Sequence, residues 1–199
     1  MPETFELIAG HPALDLINTL DWRFGNHGPK DLLSTYDDLL RFARESKLLD
    51  VRPQAPERTR ARALRRAIEL REALADIFYA RLDSHPAPAR ARATLERHFE
   101  AARRAQAIDW TRSPRLAWKW RAGSKSAELP VWALALSASE LMTSDAVDRI
   151  RACDSPECRW LFLDTSKNHT RRWCDMKVCG NRVKARRFKA AHARSGTTA

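Results

Sequence analysis

The sequence lacks a long apolar run, and no stretch approaches the roughly 18 apolar residues that a membrane-spanning helix needs. It also lacks internal repeats, and residues 1–6 lack the basic flank and apolar core of a secretory signal. Aromatic residues are few, at 8%, beside 44% hydrophobic and 31% charged residues, which is typical of a soluble globular protein. These features predict a cytoplasmic protein without a membrane partner.

Cysteine is absent from the first 152 residues, and all four cysteines lie within the 27 residues 153–179. A reducing compartment disfavours their pairing into two disulfides. The excess of positive charge lies in the same part of the chain. Of the formal net charge of +11, residues 149–199 hold 13 Lys and Arg against 4 Asp and Glu, whereas residues 1–148 hold 23 against 21. This asymmetry indicates a module that contacts a polyanion.

Hydrophobic periodicity predicts a mainly helical domain over residues 1–144. The predicted helices span residues 11–21, 34–49, 57–83, 89–107 and 130–142. Ser34 and Asp37 have the spacing of a reciprocal helix cap at the start of the second helix. A period of two over residues 116–121, in which leucine and two tryptophans alternate with smaller or basic residues, predicts a short strand.

The four cysteines form two pairs, Cys153 with Cys158 and Cys174 with Cys179, and each pair encloses four residues. Fifteen residues separate the pairs. Two short pairs joined by a loop suit a closed tetrahedral Zn²⁺ site, because each pair delivers two thiolates from one turn. The spacing therefore predicts zinc. An iron–sulfur centre, which also uses four thiolates, and a role as small buried hydrophobes stay open as alternatives.

The spacer between the pairs predicts the rest of a small module over residues 145–199. Residues 160–163 have the pattern of a strand, residues 171–173 lead back to the second pair, and a helix is predicted from Gly180. This order of cysteine turn, hairpin and helix is that of a treble-clef-like zinc finger, in which His169 is a polar turn residue. The predicted fold class is mainly α (α+β): a helical N-terminal domain with a short β element, followed by this finger.

The chain resembles the CGNR zinc-finger family at Cys179-Gly180-Asn181-Arg182, which carries the signature itself, and over residues 158–166 and 171–174. It also resembles the ABATE-type domain at residues 14–19, Leu-Asp-Leu-Ile-Asn-Thr, which match the LD-x-x-NT element that opens this domain. Together the two resemblances span almost the whole chain. They imply that the four cysteines bind zinc and that the protein is a stress-induced regulator of transcription.

The predicted helix after Cys179 carries much of the charge of the finger. The candidate residues for binding nucleic acid are Arg171, Arg172, Arg182, Lys184, Arg186, Arg187 and Lys189. Because Ala185 and Phe188 share one face of the helix, we expect them to pack on the hairpin and to leave the cations in solvent. Such cations neutralise phosphates, which predicts DNA as the partner. A basic helix that only keeps the protein soluble is the alternative.

The two arginines that precede the second cysteine pair allow two interpretations. Arg171 and Arg172 either extend the basic surface of the helix or form structural ion pairs with Asp164 and Asp175. The sequence favours neither interpretation over the other.

His11, Asp15, Asn18 and Trp22 recur at helical spacing on the first predicted helix, opposite its apolar face. Either they bind a small ligand, with Trp22 as a stacking wall, or Asp15 and Asn18 bind backbone groups and fix the fold. No nucleophile–base pair and no glycine-rich phosphate loop accompanies them. A zinc ion held by four cysteines has no open position for catalysis. The sequence therefore predicts a protein that is not an enzyme.

These features together predict a zinc-dependent DNA-binding protein that regulates transcription. Residues 1–144 would then sense a signal or form a homodimer. The alternative is a zinc-stabilised module that binds a protein or structured RNA without reading a DNA sequence.

Overall fold

The computed structural model describes residues 4–26, 28–49, 51–111, 114–186 and 188. Before the cysteine region it has five α-helices: α1 Pro12–Asn18, α2 Tyr36–Glu45, α3 Glu57–Leu82, α4 Ala89–Arg104 and α5 Leu129–Met142. The described ranges also contain three antiparallel pairs of short strands: β1 Leu20–Asp21 with β2 Lys30–Asp31, β3 Gln106–Asp109 with β4 Ala117–Trp120, and β5 Ile150–Ala152 with β6 Leu161–Leu163. The predicted fold class is confirmed. Within the same ranges, no helix is long and apolar enough to cross a membrane.

Helix α5 lies at the centre of the bundle because it is apolar on every side. It has no charged residue before Glu140, and Val131, Leu134 and Ala138 are fully buried. The other four helices, α1 to α4, all contact it. Pro130 lies in its first turn, where the missing N–H of proline would have no partner in any case. The prediction of a buried helix over 130–142 is confirmed.

The first two helices differ from the prediction at their ends. Helix α1 ends at Asn18, before the predicted end, because the chain enters the β1–β2 pair directly afterwards. Helix α2 is capped by Thr35 and Asp38, each of which accepts a backbone N–H of the other, at 3.1 and 2.9 Å. The predicted pair, Ser34 and Asp37, was wrong by one residue, since the Ser34 hydroxyl instead donates to a backbone carbonyl in β2.

Strand β4 confirms the predicted short strand, whereas its partner β3 was missed. The sequence predicted that α4 continues to residue 107, but the helix ends at Arg104 and Gln106 already belongs to β3. Gln106 and Ala107 carry no strand signal of their own. Their conformation is decided by pairing with Trp120 and Lys119, which is a tertiary effect on a short segment.

Strand β6 has hydrogen-bond partners along both edges. One edge pairs with β5, and on the other edge the Leu163 N–H donates to the Ala9 carbonyl at 2.7 Å. The Asn18 side chain accepts from the Leu161 N–H at 3.0 Å and donates to the Leu161 carbonyl at 2.9 Å. The division of the chain after residue 144 stays a prediction. In the structure, however, the cysteine region and the helical region share one continuous core.

Candidate metal centre and basic helix

The four cysteines converge on one point beside β6. Their Sγ atoms all lie within 4.8 Å of one another, and no other His, Asp or Glu of the described ranges joins them. All four are buried and none forms a disulfide. The Sγ atoms of Cys158 and Cys179 each lie 3.6 Å from that of Cys174. Four thiolates at the usual zinc–sulfur distance of about 2.3 Å would be separated by about 3.8 Å in a tetrahedron, so the cluster fits a four-coordinate metal.

The first cysteine turn is formed by the β5–β6 pair. The Cys153 N–H donates to the Trp160 carbonyl at 2.9 Å, which continues the ladder beyond the strands. The chain reverses between them because the N–H groups of Cys158 and Arg159 both donate to the Ser155 carbonyl at 3.0 Å. Arg159 adopts a left-handed conformation, with φ of 49°, at the end of this turn. The hairpin therefore encloses the first cysteine pair. The predicted hairpin within the spacer after Cys158 was wrong.

The second cysteine turn is a single π-helical turn, Met176–Gly180. The Asp175 carboxylate caps it by accepting the N–H groups of Lys177 and Val178, at 2.6 and 3.0 Å. Gly180 fits here because a Cβ atom would meet the Met176 thioether and would lie 3.2 Å from the Trp173 indole. Cys179 therefore lies inside a helical turn that begins earlier than the predicted Gly180.

A buried carboxylate organises the loop between the two turns. Asp164 accepts the N–H of Ser166 and the N–H of Arg171, each at 3.0 Å, and the Ser166 hydroxyl at 2.6 Å. Burial by itself raises the pKa of Asp164, but these hydrogen bonds outweigh it and lower the pKa below the ordinary value. His169 lies exposed in this loop with its Nδ1 3.3 Å from the Asp164 carbonyl, outside the thiol cluster, as predicted.

The four thiols also shift the pKa values of one another. Hydrogen bonding by Cys158 lowers the pKa of the Cys153 thiol, and the same contact raises the pKa of Cys158. A divalent cation would favour the thiolate at all four positions, because the thiolate is the form that binds metal.

Of the two interpretations of the arginines before Cys174, ion pairing with Asp164 and Asp175 is not found among the described residues. The Arg171 guanidinium donates to the Trp173 carbonyl at 2.9 Å and to the Cys174 carbonyl, and it lies 4.3 Å from the centre of the Phe162 ring. Arg171 therefore fixes the backbone that carries a metal ligand.

Arg172 lies further out than Arg171. Its guanidinium binds Asp154 at 2.6 Å and lies over the Trp173 ring at 5.4 Å. Its side chain is more than half exposed, so it remains on the surface of the finger.

The basic segment is helical over 181–186 and at 188. Arg182 turns toward the helical domain, where its guanidinium lies 5.1 Å from the centre of the Trp22 ring. Arg186 pairs with Glu157 at 2.8 Å on the surface, and this contact raises the pKa of Arg186. Lys184 is exposed. The remaining two candidates, Arg187 and Lys189, lie outside the residues whose side chains the structure describes.

The predicted inward face of this helix was wrong. Ala185 is exposed and Phe188 is 64% exposed, whereas Arg182 and Val183 are half-buried. Helical periodicity from Gly180 onward identifies the residues that share a face, but it does not show how the chain enters the helix. The preceding π-helical turn sets the rotation, and it directs Arg182 rather than Phe188 toward the body of the protein.

The polar residues near α1 do not form one exposed stripe. His11 is the N-cap and accepts from the Ala13 N–H at 3.2 Å, while Trp22 lies beyond the helix with φ of 54°. Asp15 is buried, and one of its oxygens accepts from the Ala9 N–H at 2.9 Å. Asn18 binds the backbone of β6, as described above. Three of the four predicted side chains, those of His11, Asp15 and Asn18, thus bind backbone groups, and the assignment of the four as ligand-binding residues stays a prediction.

Trp22 nevertheless lines a cavity of about 140 Å³ between the helical domain and the finger. Trp160, Asp21 and Arg182 contribute to the same wall. Asp21 links the two tryptophans, because its carboxylate accepts from the backbone N–H of Trp22 at 2.8 Å and from the indole Nε1–H of Trp160 at 3.0 Å.

Sequence reasoning missed a second contact between the two regions. Arg159 pairs with Asp83 at 3.0 Å and lies over the rings of Phe24 and Tyr79, at 5.4 and 5.7 Å. The Tyr79 hydroxyl donates to the Arg159 carbonyl at 3.0 Å. Arg159 and Tyr79 are 80 residues apart, so no local pattern could indicate that they meet.

Comparison with known families gives two matches. The ABATE family model, described as "putative stress-induced transcription regulator", matches residues 10–145, and the CGNR zinc finger model matches residues 149–192. No curated protein matches the chain. The resemblance predicted from the two short motifs is confirmed, and the chain belongs to the ABATE family and carries a CGNR zinc finger.

Proposed function

We propose that this protein is a zinc-dependent DNA-binding regulator of transcription whose basic helix after Cys179 contacts nucleic acid. The observation that supports the proposal is the position of this helix. It begins directly at a four-thiolate centre, and the three described cations of the helix follow within seven residues of the last ligand. A metal ion that fixes the turn thereby fixes the direction of the cations. Each phosphate that they neutralise would release counterions and raise the affinity.

The cations of this surface have different roles in the proposal. Lys184 is exposed and is the simplest phosphate contact. Arg186 can exchange its exposed partner Glu157 for a phosphate, because a surface ion pair contributes only about 0–1 kcal/mol. Arg182 orients the helix through Trp22, and Arg171 supports the metal ligands. Arg172, Arg187 and Lys189 complete the proposed surface.

Zinc is the proposed metal because a closed set of four thiolates is typical of structural zinc. Such a site leaves no coordination position open, so the proposal assigns the centre no catalytic role and treats the protein as a non-enzyme. A reducing cytoplasm would keep the thiols available for the metal. The helical region is proposed to sense a signal or to form a homodimer.

The test combines metal analysis with DNA binding by the purified full chain. Selection from a random duplex pool identifies a site, and fluorescence anisotropy then measures affinity for that site over a range of salt concentrations. We expect one zinc per chain and a binding affinity that is lost on chelation. The variant Lys184→Ala/Arg186→Ala should bind more weakly, with a salt slope shallower by about one for each lost phosphate contact.

A matched control removes two cations elsewhere. Arg58→Ala/Arg65→Ala deletes two exposed arginines of α3 and changes the net charge equally. We expect this control to keep the salt slope of the wild type. Equal losses in both variants would mean that only overall charge matters and would contradict a contact surface on the finger.

A second function is favoured by one observation. Ala185 and Phe188 form an exposed apolar strip next to the basic residues, and such a mixed surface suits a protein partner or structured RNA. In that case the protein would carry zinc but would not bind duplex DNA at low salt. Phe188→Ala would then weaken binding to the partner, while it should leave a duplex-binding protein unaffected.

A further inference from the structure

The β3–β4 hairpin is attached to the helical domain by a contact between two aromatic rings at its base. Trp120, at the base of the hairpin, stacks against Trp132 of α5 with ring centres 5.9 Å apart. The base is also tied to the end of α4, because the Arg121 N–H donates to the Ala105 carbonyl at 2.8 Å. These contacts fix the base of the hairpin on the helical domain.

The face of the hairpin that carries Trp120 packs against α5 at the base and is exposed to solvent toward the turn. Ile108 lies directly opposite Trp118 in the register, two positions from the anchored Trp120, so their side chains continue the same face. Trp118 is 68% exposed, and Trp110 and Leu116, which flank the turn, are 74% and 53% exposed. Two tryptophans in solvent on one hairpin form an apolar patch of the kind that marks an interaction site.

The hairpin and the end of α4 at its base also carry several cations. The exposed basic residues of the described part of 103–121 are Arg103, Arg104, Arg115, Lys119 and Arg121. Two carboxylates offset part of this positive charge. Asp109 lies 3.4 Å from the Lys119 ammonium, and Glu100 pairs with Arg104. Because side chains alternate along a strand, Lys119 and Arg121 lie on the face opposite Trp118 and Trp120, so the hairpin has one aromatic face and one cationic face.

We propose that the β3–β4 hairpin is a second nucleic-acid surface, which binds single-stranded DNA by stacking Trp110 and Trp118 on unpaired bases. The cations of the hairpin and of its base would neutralise phosphates of the strand as it passes over the hairpin. Stacking on exposed indoles together with a cationic rim is the usual chemistry of single-strand binding. This inference rests on the proposed function in that DNA is the partner, but it uses residues distant in sequence from the finger.

Charge favours DNA over a second copy of the chain as the occupant. A two-fold interface through this face would bring two positively charged hairpins together. A polyanion is instead attracted by each of the hairpin's cations. The two occupants can be distinguished by experiment. If this face joins two copies of the chain, removal of the tryptophans should change the oligomeric state.

The experiment uses the full chain and poly-dT as the probe, with a duplex as the second ligand. Trp110→Ala/Trp118→Ala should fold normally, since both indoles lie mostly in solvent. We expect poly-dT to quench tryptophan fluorescence of the wild type, and we expect each lost indole to weaken poly-dT binding about 5-fold or more. Trp110→Phe/Trp118→Phe should retain most of the affinity, because phenylalanine still stacks.

A parallel variant of the finger separates this proposal from the proposed function. If Lys184→Ala/Arg186→Ala weakens duplex binding while the alanine pair on the hairpin binds poly-dT like the wild type, the hairpin proposal is overturned and the proposed function stands. If the wild type binds poly-dT through the hairpin but never binds duplex, the hairpin proposal stands and the proposed function fails. If sedimentation shows a wild-type dimer that the hairpin variant converts to a monomer with unchanged poly-dT binding, the surface joins two copies and the proposal is wrong.

Discussion

Asn18→Ala tests how strongly the finger depends on the helical domain. Asn18 is 4% exposed, and its amide makes two hydrogen bonds of 2.9 and 3.0 Å to the carbonyl and N–H of Leu161 on the edge of β6. Truncation leaves both backbone groups buried without a partner. Each unsatisfied group costs about 1–3 kcal/mol, so the free energy of unfolding should fall by about 2–6 kcal/mol.

The assay follows urea unfolding by circular dichroism and measures zinc affinity by competition with a chelator. Because the lost bonds join the two regions, the variant should lower both the unfolding midpoint of the helices and the metal affinity, the latter by about tenfold or more. Asn168→Ala, in an exposed turn of the finger, should change neither quantity. Helix stability that falls while the metal affinity stays constant would refute the coupling, and an unchanged midpoint would refute the value assigned to the two bonds.

Three further predictions concern single positions. Cys174→Ser should abolish stoichiometric zinc and lower the urea midpoint of the whole chain in one transition; a finger that unfolds separately would contradict the shared core. Phe188→Ala should change the melting temperature little, because the ring is 64% exposed, and a loss of several kcal/mol would mean that the ring is buried in solution. Burial raises the pKa of Asp15 to about 6, above its ordinary value near 4, so the wild type should lose up to about 3 kcal/mol of stability as pH rises from about 4 to 6. Asp15→Asn keeps an acceptor for the Ala9 N–H but does not ionise. In urea unfolding, the stability of this variant relative to the wild type should therefore grow from pH 4 to pH 6, and a constant difference would refute the raised pKa of Asp15.

The sequence was most informative where a pattern was long or chemically specific. Helices α3 and α5 were predicted almost to the residue, since α3 has an apolar periodicity over 26 residues and α5 is an almost entirely apolar segment of 14 residues. The metal cluster was predicted from spacing alone, because few chemistries use two short pairs of cysteines. Both predictions depend on interactions within one segment or one residue type.

Features that depend on tertiary contacts were not accessible in this way. Strand β3 exists because Trp118 and Trp120 lie on the opposite strand, and Gln106 by itself favours no strand. The rotation of the basic helix is set by the turn before it, so the periodicity of Ala185 and Phe188 identified a shared face but not its direction. The partners of Arg159 come from residues 24, 79 and 83, which no local spacing links to it.

The contacts of the LD-x-x-NT motif explain why it accompanies this finger. Asp15 holds the N–H of Ala9, whose carbonyl binds the edge of β6, and Asn18 binds the same edge directly. The Thr19 hydroxyl accepts from the buried guanidinium of Arg71, which anchors the end of α1 on α3. Asp15 and Asn18 therefore support the seam between the two regions, whereas Thr19 fixes α1 within the helical domain.

The second family motif reaches the same seam from the other side. Arg182, the last residue of Cys-Gly-Asn-Arg, lies over Trp22, which follows β1 directly after the first motif. A β5–β6 pair of three residues per strand is marginal in isolation, and its open edge needs the backbone and amide partners that the helical domain supplies. A metal held by the four thiols would order the cysteine turns, while the helical domain completes the strand beside them. We therefore expect the orientation of the basic helix to depend on both the metal and the helical domain.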